Sequence, residues 1–90
     1  TQVLADPSNT TTLQALLGMA NVSFARRDLP AARVWAQKAV DRSPFVPAAW
    51  LTAARLADLS GETAGGSEFL RRGQRFNPDD ASIAEAIAKR

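Results

Sequence analysis

Apolar residues recur at steps of three and four along most of this chain, which places them on one face of an α-helix. The first stripe covers about residues 12–26 and consists of Leu13, Leu16, Leu17, Ala20 and Phe24. The second stripe consists of Ala32, Trp35, Ala36, Ala39 and Val40. The later stripes are Trp50, Ala53, Ala54 and Ala57, then Ile83, Ala84, Ile87 and Ala88. With a fourth helix over about residues 63–75, this pattern predicts five helices, a short N-terminal helical turn and no sheet.

Capping and breaking residues stand between these stripes. Asp28 is placed to cap the second helix with its carboxylate, and Asp79 or Asp80 is placed to cap the fifth. Pro44 ends the second helix, because proline disfavours helical geometry at the residue before it. Gly61 suits the left-handed conformation that often ends a helix, here the third. The predicted helices are therefore short and joined by tight turns.

The chain repeats itself at a spacing of 34 residues. A shift of that length places Pro44 on Pro78 and Asp28 on Glu62. Three successive registers then show a large or apolar residue followed by alanine: Met19 and Ala20, Ala53 and Ala54, Ile87 and Ala88.

A helix-turn-helix unit of this length, with small residues where helices cross and a closing proline, resembles the tetratricopeptide repeat. The family's small positions correspond to Ala20, Ala32 and Ala39, then Ala54, Gly66 and Gly73. The resemblance implies an all-α fold of antiparallel helix-turn-helix repeats, stacked as a right-handed α-solenoid of about two and a half units. Residues 1–12 would be the end of a preceding unit and a loop, 13–46 the first repeat, 47–80 the second, and 81–90 the first helix of a third.

Three features depart from a regular array. The stretch 8–12 is either a longer loop or an extra turn of the first helix, because the N-terminal spacing is off by three residues. The family's aromatic positions carry Ser23, Ala36, Ala57 and Leu70, which predicts a thin core. Two and a half units leave ends that are expected to expose apolar surface at Val3, Leu4, Ile83 and Ile87, and therefore to allow weak end-to-end self-association.

The resemblance also implies a binding surface, because one face of the first helix in each unit lines a concave groove for an extended peptide or a partner's helix. The corresponding residues are Gln14, Leu17, Asn21, Phe24 and Ala25, then Ala48, Leu51, Arg55, Asp58 and Leu59, followed by Ser82, Glu85 and Lys89. Asn21 and Arg55 are expected to offer hydrogen bonds and charge, and the leucines apolar contact. An alternative is that Arg55 and Asp58 only solvate an exposed helix face.

Composition argues against an enzyme. The 90 residues include no Cys, His or Tyr, which removes thiol nucleophiles, disulfides, most zinc sites and the commonest general base. We therefore expect no catalytic residues, no cofactor and no metal. The formal charge of +2 is too small to indicate a nucleic-acid or membrane partner, and no apolar run is long enough to span a bilayer.

These observations favour a protein–protein interaction scaffold that binds a partner peptide or protein. Two other functions stay open: a nucleic-acid-binding helical repeat, for which Arg71, Arg72 and Arg75 form the one dense basic cluster, and a regulatory module fused to an enzyme. Bacterial members of the family include periplasmic parts of polysaccharide exporters, so the resemblance suggests a larger bacterial assembly or envelope protein. The compartment, periplasm or cytoplasm, is left open by the sequence.

Overall fold

The computed structural model describes residues 8–90, with side chains from Thr12 onward. Within this range all regular structure is helical, in five helices: α1 Ser8–Ala25, α2 Leu29–Arg42, α3 Pro47–Leu59, α4 Thr63–Phe76 and α5 Ala81–Ala88. The prediction of an all-helical chain is confirmed for these residues. The predicted helical turn before Pro7, and the expected exposure of Val3 and Leu4, lie outside the described residues.

Helix α1 is longer than the sequence repeat requires. It begins at Ser8, so residues 8–12 form an additional helical turn rather than a loop. The alternative of an extra turn is therefore the one that the structure shows, and α1 starts before the repeat boundary predicted at residue 13.

Two aspartates cap helices as expected. The Asp28 carboxylate accepts a hydrogen bond from the backbone N–H of Ala31 at 3.3 Å, and that of Asp80 accepts one from Ile83 at 2.9 Å. Each bond satisfies a donor that has no partner inside its own helix. Asp80, rather than Asp79, caps α5.

The turns inside the two complete helix pairs share one backbone geometry. Gly61, after α3, has φ of 84°, and Arg27, after α1 and 34 residues earlier in the chain, has φ of 65°. Glycine adopts this left-handed conformation without strain, whereas the Cβ atom of arginine crowds the backbone there. The fold therefore imposes the same turn on two unequal residues.

The helices pack in chain order, and alternate helices also touch. Each helix packs on the next one, while α1 contacts α3 and α3 contacts α5. The first helices of successive pairs consequently lie side by side. This pairing is consistent with a helical repeat.

Small residues allow the helices to come close around Trp50, the largest fully buried side chain. Ala20, Ala39 and Ala54 are buried where the repeat predicts small side chains. Gly73 of α4 lies against the Trp50 ring, and a Cβ atom at this position would be 2.5 Å from the Trp50 Cγ atom. The core is closely packed here because one of its helices has no side chain at the contact.

The core is thin between the two pairs, as the alanines at aromatic positions predict. Ala36 and Ala57 line a cavity of about 20 Å³, together with Leu56 and Phe69. This volume is about that of one water molecule. An ion pair between Arg33 and Glu62, at 3.0 Å, lies at the edge of the cavity.

Three apolar positions differ from expectation. Ile83 is fully buried, so the prediction that it exposes apolar surface at the end of the chain is wrong: α5 turns it into the core. Ile87 is half-buried against the same core, which leaves less apolar surface for end-to-end association than the sequence suggested. Trp35 is half-buried rather than central, and the Lys38 ammonium lies 4.9 Å from its ring centroid.

Replacing Arg27 by glycine is expected to stabilise the protein by about 1 kcal/mol, because glycine removes the left-handed strain. The Arg27→Ala variant loses the same charge but keeps a Cβ atom, and it is the matched control. Chemical denaturation of the three proteins checks this. Equal midpoints for Arg27→Gly and Arg27→Ala would contradict it.

Alanine is expected to have opposite effects at two glycines of α4. At Gly73 it places a methyl group inside the Trp50 ring contact and should destabilise the fold by about 1 to 3 kcal/mol. At Gly65 the nearest side-chain atom would be 3.7 Å away, so the gain in helix propensity, about 0.5 to 1 kcal/mol, should dominate. Thermal unfolding of both variants measures the signs, and destabilisation of equal size at both sites would argue against the packing described here.

Candidate functional site

The side-by-side helices α1, α3 and α5 carry the residues that the sequence assigned to a groove. Each of those residues is exposed or half-buried, and none is taken into the core. On α1 they are Gln14, Leu17, Asn21, Phe24 and Ala25; on α3 they are Ala48, Leu51, Arg55, Asp58 and Leu59; at the C-terminal end they are Ser82, Glu85 and Lys89. Exposure is the first condition for a binding surface, and these positions meet it.

Asn21 and Arg55 are brought together across α1 and α3. The Arg55 guanidinium donates a hydrogen bond from Nη2 to Asn21 Oδ1 at 3.4 Å, between residues that are 34 positions apart. The acceptor is a neutral amide, and Arg55 makes no ion pair with any residue in the described range. The arginine charge is therefore not neutralised, and the Asn21 amide N–H group beside it is a second donor.

Apolar side chains accompany this polar pair. Leu17, Phe24 and Leu51 are half-buried, each with one side against the core. Leu59, at the end of α3, is 57% exposed. The surface thus combines fixed apolar contacts with one polar pair, which is typical of sites that bind peptides.

Asp58 has an internal partner that the sequence analysis did not foresee. Arg90, beyond the end of α5, donates from Nη2 to the Asp58 carboxylate, and from Nη1 to Ser67 Oγ at 3.0 Å and the Thr63 carbonyl at 3.4 Å. A side chain at Gly66 would collide with the Asp58 carboxylate, so this pairing also requires a glycine in α4. No repeat position pointed to Arg90, because the contact depends on how α5 ends.

Internal pairing therefore reduces the charges that the predicted groove offers. Asp58 is paired with Arg90, and Lys89 lies 3.8 Å from Glu85 one turn earlier. The interpretation that Asp58 only solvates a helix face is too weak, since its carboxylate joins α3 to the end of α5. Arg55 is the groove residue whose charge meets no described carboxylate.

The predicted basic cluster on α4 is also largely engaged. Arg71 forms an ion pair with Glu68 at 2.8 Å, and the Arg72 guanidinium lies 5.6 Å from the Trp50 ring centroid. Arg75 is exposed and makes no ion pair within the described part of the chain. The three arginines consequently do not act as one phosphate-binding cluster.

Chemistry-bearing side chains do not converge in residues 8–90. This range contains no group of three or more His, Cys, Asp and Glu residues suited to a metal ion. None of the helices in the same range is both long enough and apolar enough to cross a membrane.

Comparison with known proteins identifies no relative. No protein-family description, no curated protein and no solved structure matches this chain.

Removing the Arg90 side chain is expected to destabilise the protein by about 1 kcal/mol, because its loss leaves the partly buried Asp58 carboxylate without its charged partner. Lys89→Ala removes an exposed and longer ion pair and should change stability by less than about 0.5 kcal/mol. A double-mutant cycle with Asp58→Asn measures the Asp58–Arg90 coupling. Additive effects in that cycle would show that the two residues do not interact in solution.

Proposed function

We propose that this chain is a protein-interaction scaffold of the tetratricopeptide-repeat type. In this proposal its helix pairs stack as a right-handed α-solenoid, and α1, α3 and α5 line a groove that holds a partner peptide or protein. The observation that carries it is the Asn21–Arg55 hydrogen bond. Residues that are one repeat apart touch directly, as equivalent positions on adjacent first helices of a stacked array should.

The chemistry of this surface indicates the kind of partner. Arg55 and the amide of Asn21 suit a carboxylate or a peptide carbonyl, and Arg55 has no described acidic residue to compete with the ligand. Leu17, Leu51 and Leu59 supply apolar contact beside them. An extended peptide with apolar side chains and one acidic group fits this combination.

The residues favour a protein partner over nucleic acid. Leu17 and Leu51 occupy equivalent groove positions, where a repeat that recognises bases needs polar side chains. Arg71 and Arg72, which were candidates for phosphate contacts, already contact Glu68 and Trp50. A role in a larger bacterial or envelope assembly, and fusion to an enzyme, stay predictions.

Peptides selected from a displayed random library provide the test. We expect groove-binding peptides to lose about tenfold in affinity with Leu51→Ser, which removes a central apolar contact, and a smaller factor with Arg55→Gln. Val34→Ser, on the exposed face of α2, is the matched control and should leave their affinity unchanged. Fluorescence anisotropy measures binding, and circular dichroism checks folding.

Two results would contradict this function. One is a set of selected peptides that bind with the same affinity to Leu51→Ser, Arg55→Gln and the native chain. The other is binding of oligothymidylate that weakens with Arg55→Gln while no peptide binds.

A further inference from the structure

Two phenylalanine rings are exposed together, away from the groove residues. Phe45, in the turn between α2 and α3, is 72% exposed, and Phe76, the last residue of α4, is 44% exposed. Their ring centroids are 5.5 Å apart in an edge-to-face arrangement. With Val46, which is 37% exposed, they form a surface that we call the turn patch.

Hydrogen bonds hold the turn patch in one conformation. The Pro44 carbonyl accepts from Trp50 Nε1 at 2.8 Å and from Asn77 Nδ2 at 2.9 Å. Asn77 also donates to the Gly73 carbonyl at 3.1 Å, which ties the end of α4 to the same turn. The Phe76 ring in turn stacks on Trp50, with 5.8 Å between centroids and 15° between planes. A partner would therefore meet aromatic rings that are already fixed, and binding would cost little ordering entropy.

Positive charge lies next to these rings. Arg75 directly precedes Phe76 and Arg42 lies three residues before Phe45; both are exposed, and neither forms an ion pair within residues 8–90. Nearby carboxylates are largely engaged, since Asp41 accepts from Gln37 at 2.8 Å and Asp80 caps α5. Aromatic residues and arginine are the types that contribute most at protein interfaces.

We propose that the turn patch is a second docking surface, separate from the groove, for an acidic protein segment. Such a segment would place an apolar or aromatic side chain against Phe45 and Phe76, and a carboxylate on Arg75 or Arg42. Complementary charge selects this occupant, because the exposed arginines beside the patch lack described acidic partners.

The geometry disfavours the two other occupants. Proteins that bind single-stranded nucleic acid stack successive bases on several aromatic rings. Here Phe76 already stacks on Trp50 and meets the edge or face of Phe45, so it is not an open platform for a base. A second copy of the chain in a symmetric contact would bring Arg42 and Arg75 against the same arginines.

The test uses a displayed library of random peptides, selected on the native chain and depleted on the Phe45→Ser variant. Since Phe45 is mostly exposed, this substitution should leave the fold intact, which circular dichroism checks. We expect the recovered peptides to be acidic and to contain at least one apolar or aromatic residue. Their affinity should fall about tenfold with Phe45→Ser.

Charge and groove controls complete the experiment. Arg75→Gln should weaken these peptides by about threefold or more, whereas Arg71→Gln, which removes an arginine already paired with Glu68, should not. Leu51→Ser in the groove should leave them unchanged, so failure of the groove proposal and failure of this one are distinguishable.

Four outcomes would overturn the proposal. They are recovery of no peptide that distinguishes Phe45→Ser, recovery of neutral or basic peptides, binding of oligothymidylate that is lost with Phe45→Ser, and self-association in sedimentation that is lost with the same variant. The third would assign the patch to nucleic acid and the fourth to a second copy.

Discussion

The structure depends on the contact between the Trp50 ring and Gly73. Trp50 is the largest fully buried side chain, and it reaches its place only because α4 has no side chain at the point of approach. From there its indole N–H bonds to the Pro44 carbonyl, its ring stacks on Phe76, and Phe69 lies 6.3 Å away. One residue of α3 therefore joins the preceding turn, the opposite helix and the exposed turn patch. A polar N–H group on a large apolar ring suits this position, because buried Trp usually needs a hydrogen-bond acceptor.

Features that follow from local chemistry were predictable from the sequence. Asp28 and Asp80 cap helices because a carboxylate there satisfies backbone donors, whatever packs around them. The small residues Ala20, Ala54 and Gly73 recur at repeat spacing and are buried where helices cross.

Features that depend on three-dimensional packing were not predictable in the same way. Ile83 was expected at an exposed end but is buried, because α5 packs on both α3 and α4. Arg27 carries no sequence signal for a left-handed turn, and it adopts one because the helix pair closes as it does at Gly61. The groove residues were assigned correctly as exposed, but the pairing of Asp58 with Arg90 needed the position of the chain beyond α5.

The small cavity between the helix pairs has a consequence for the mechanics of the molecule. Ala36 and Ala57 leave the junction between the first and second pairs without interlocking side chains, and the Arg33–Glu62 ion pair spans it at the surface. Dissolved salt screens an exposed ion pair, whereas it leaves apolar packing in place. The angle between the pairs is therefore held partly by a salt-sensitive clasp, and ionic strength becomes a control on how widely the faces of α1 and α3 open toward a ligand.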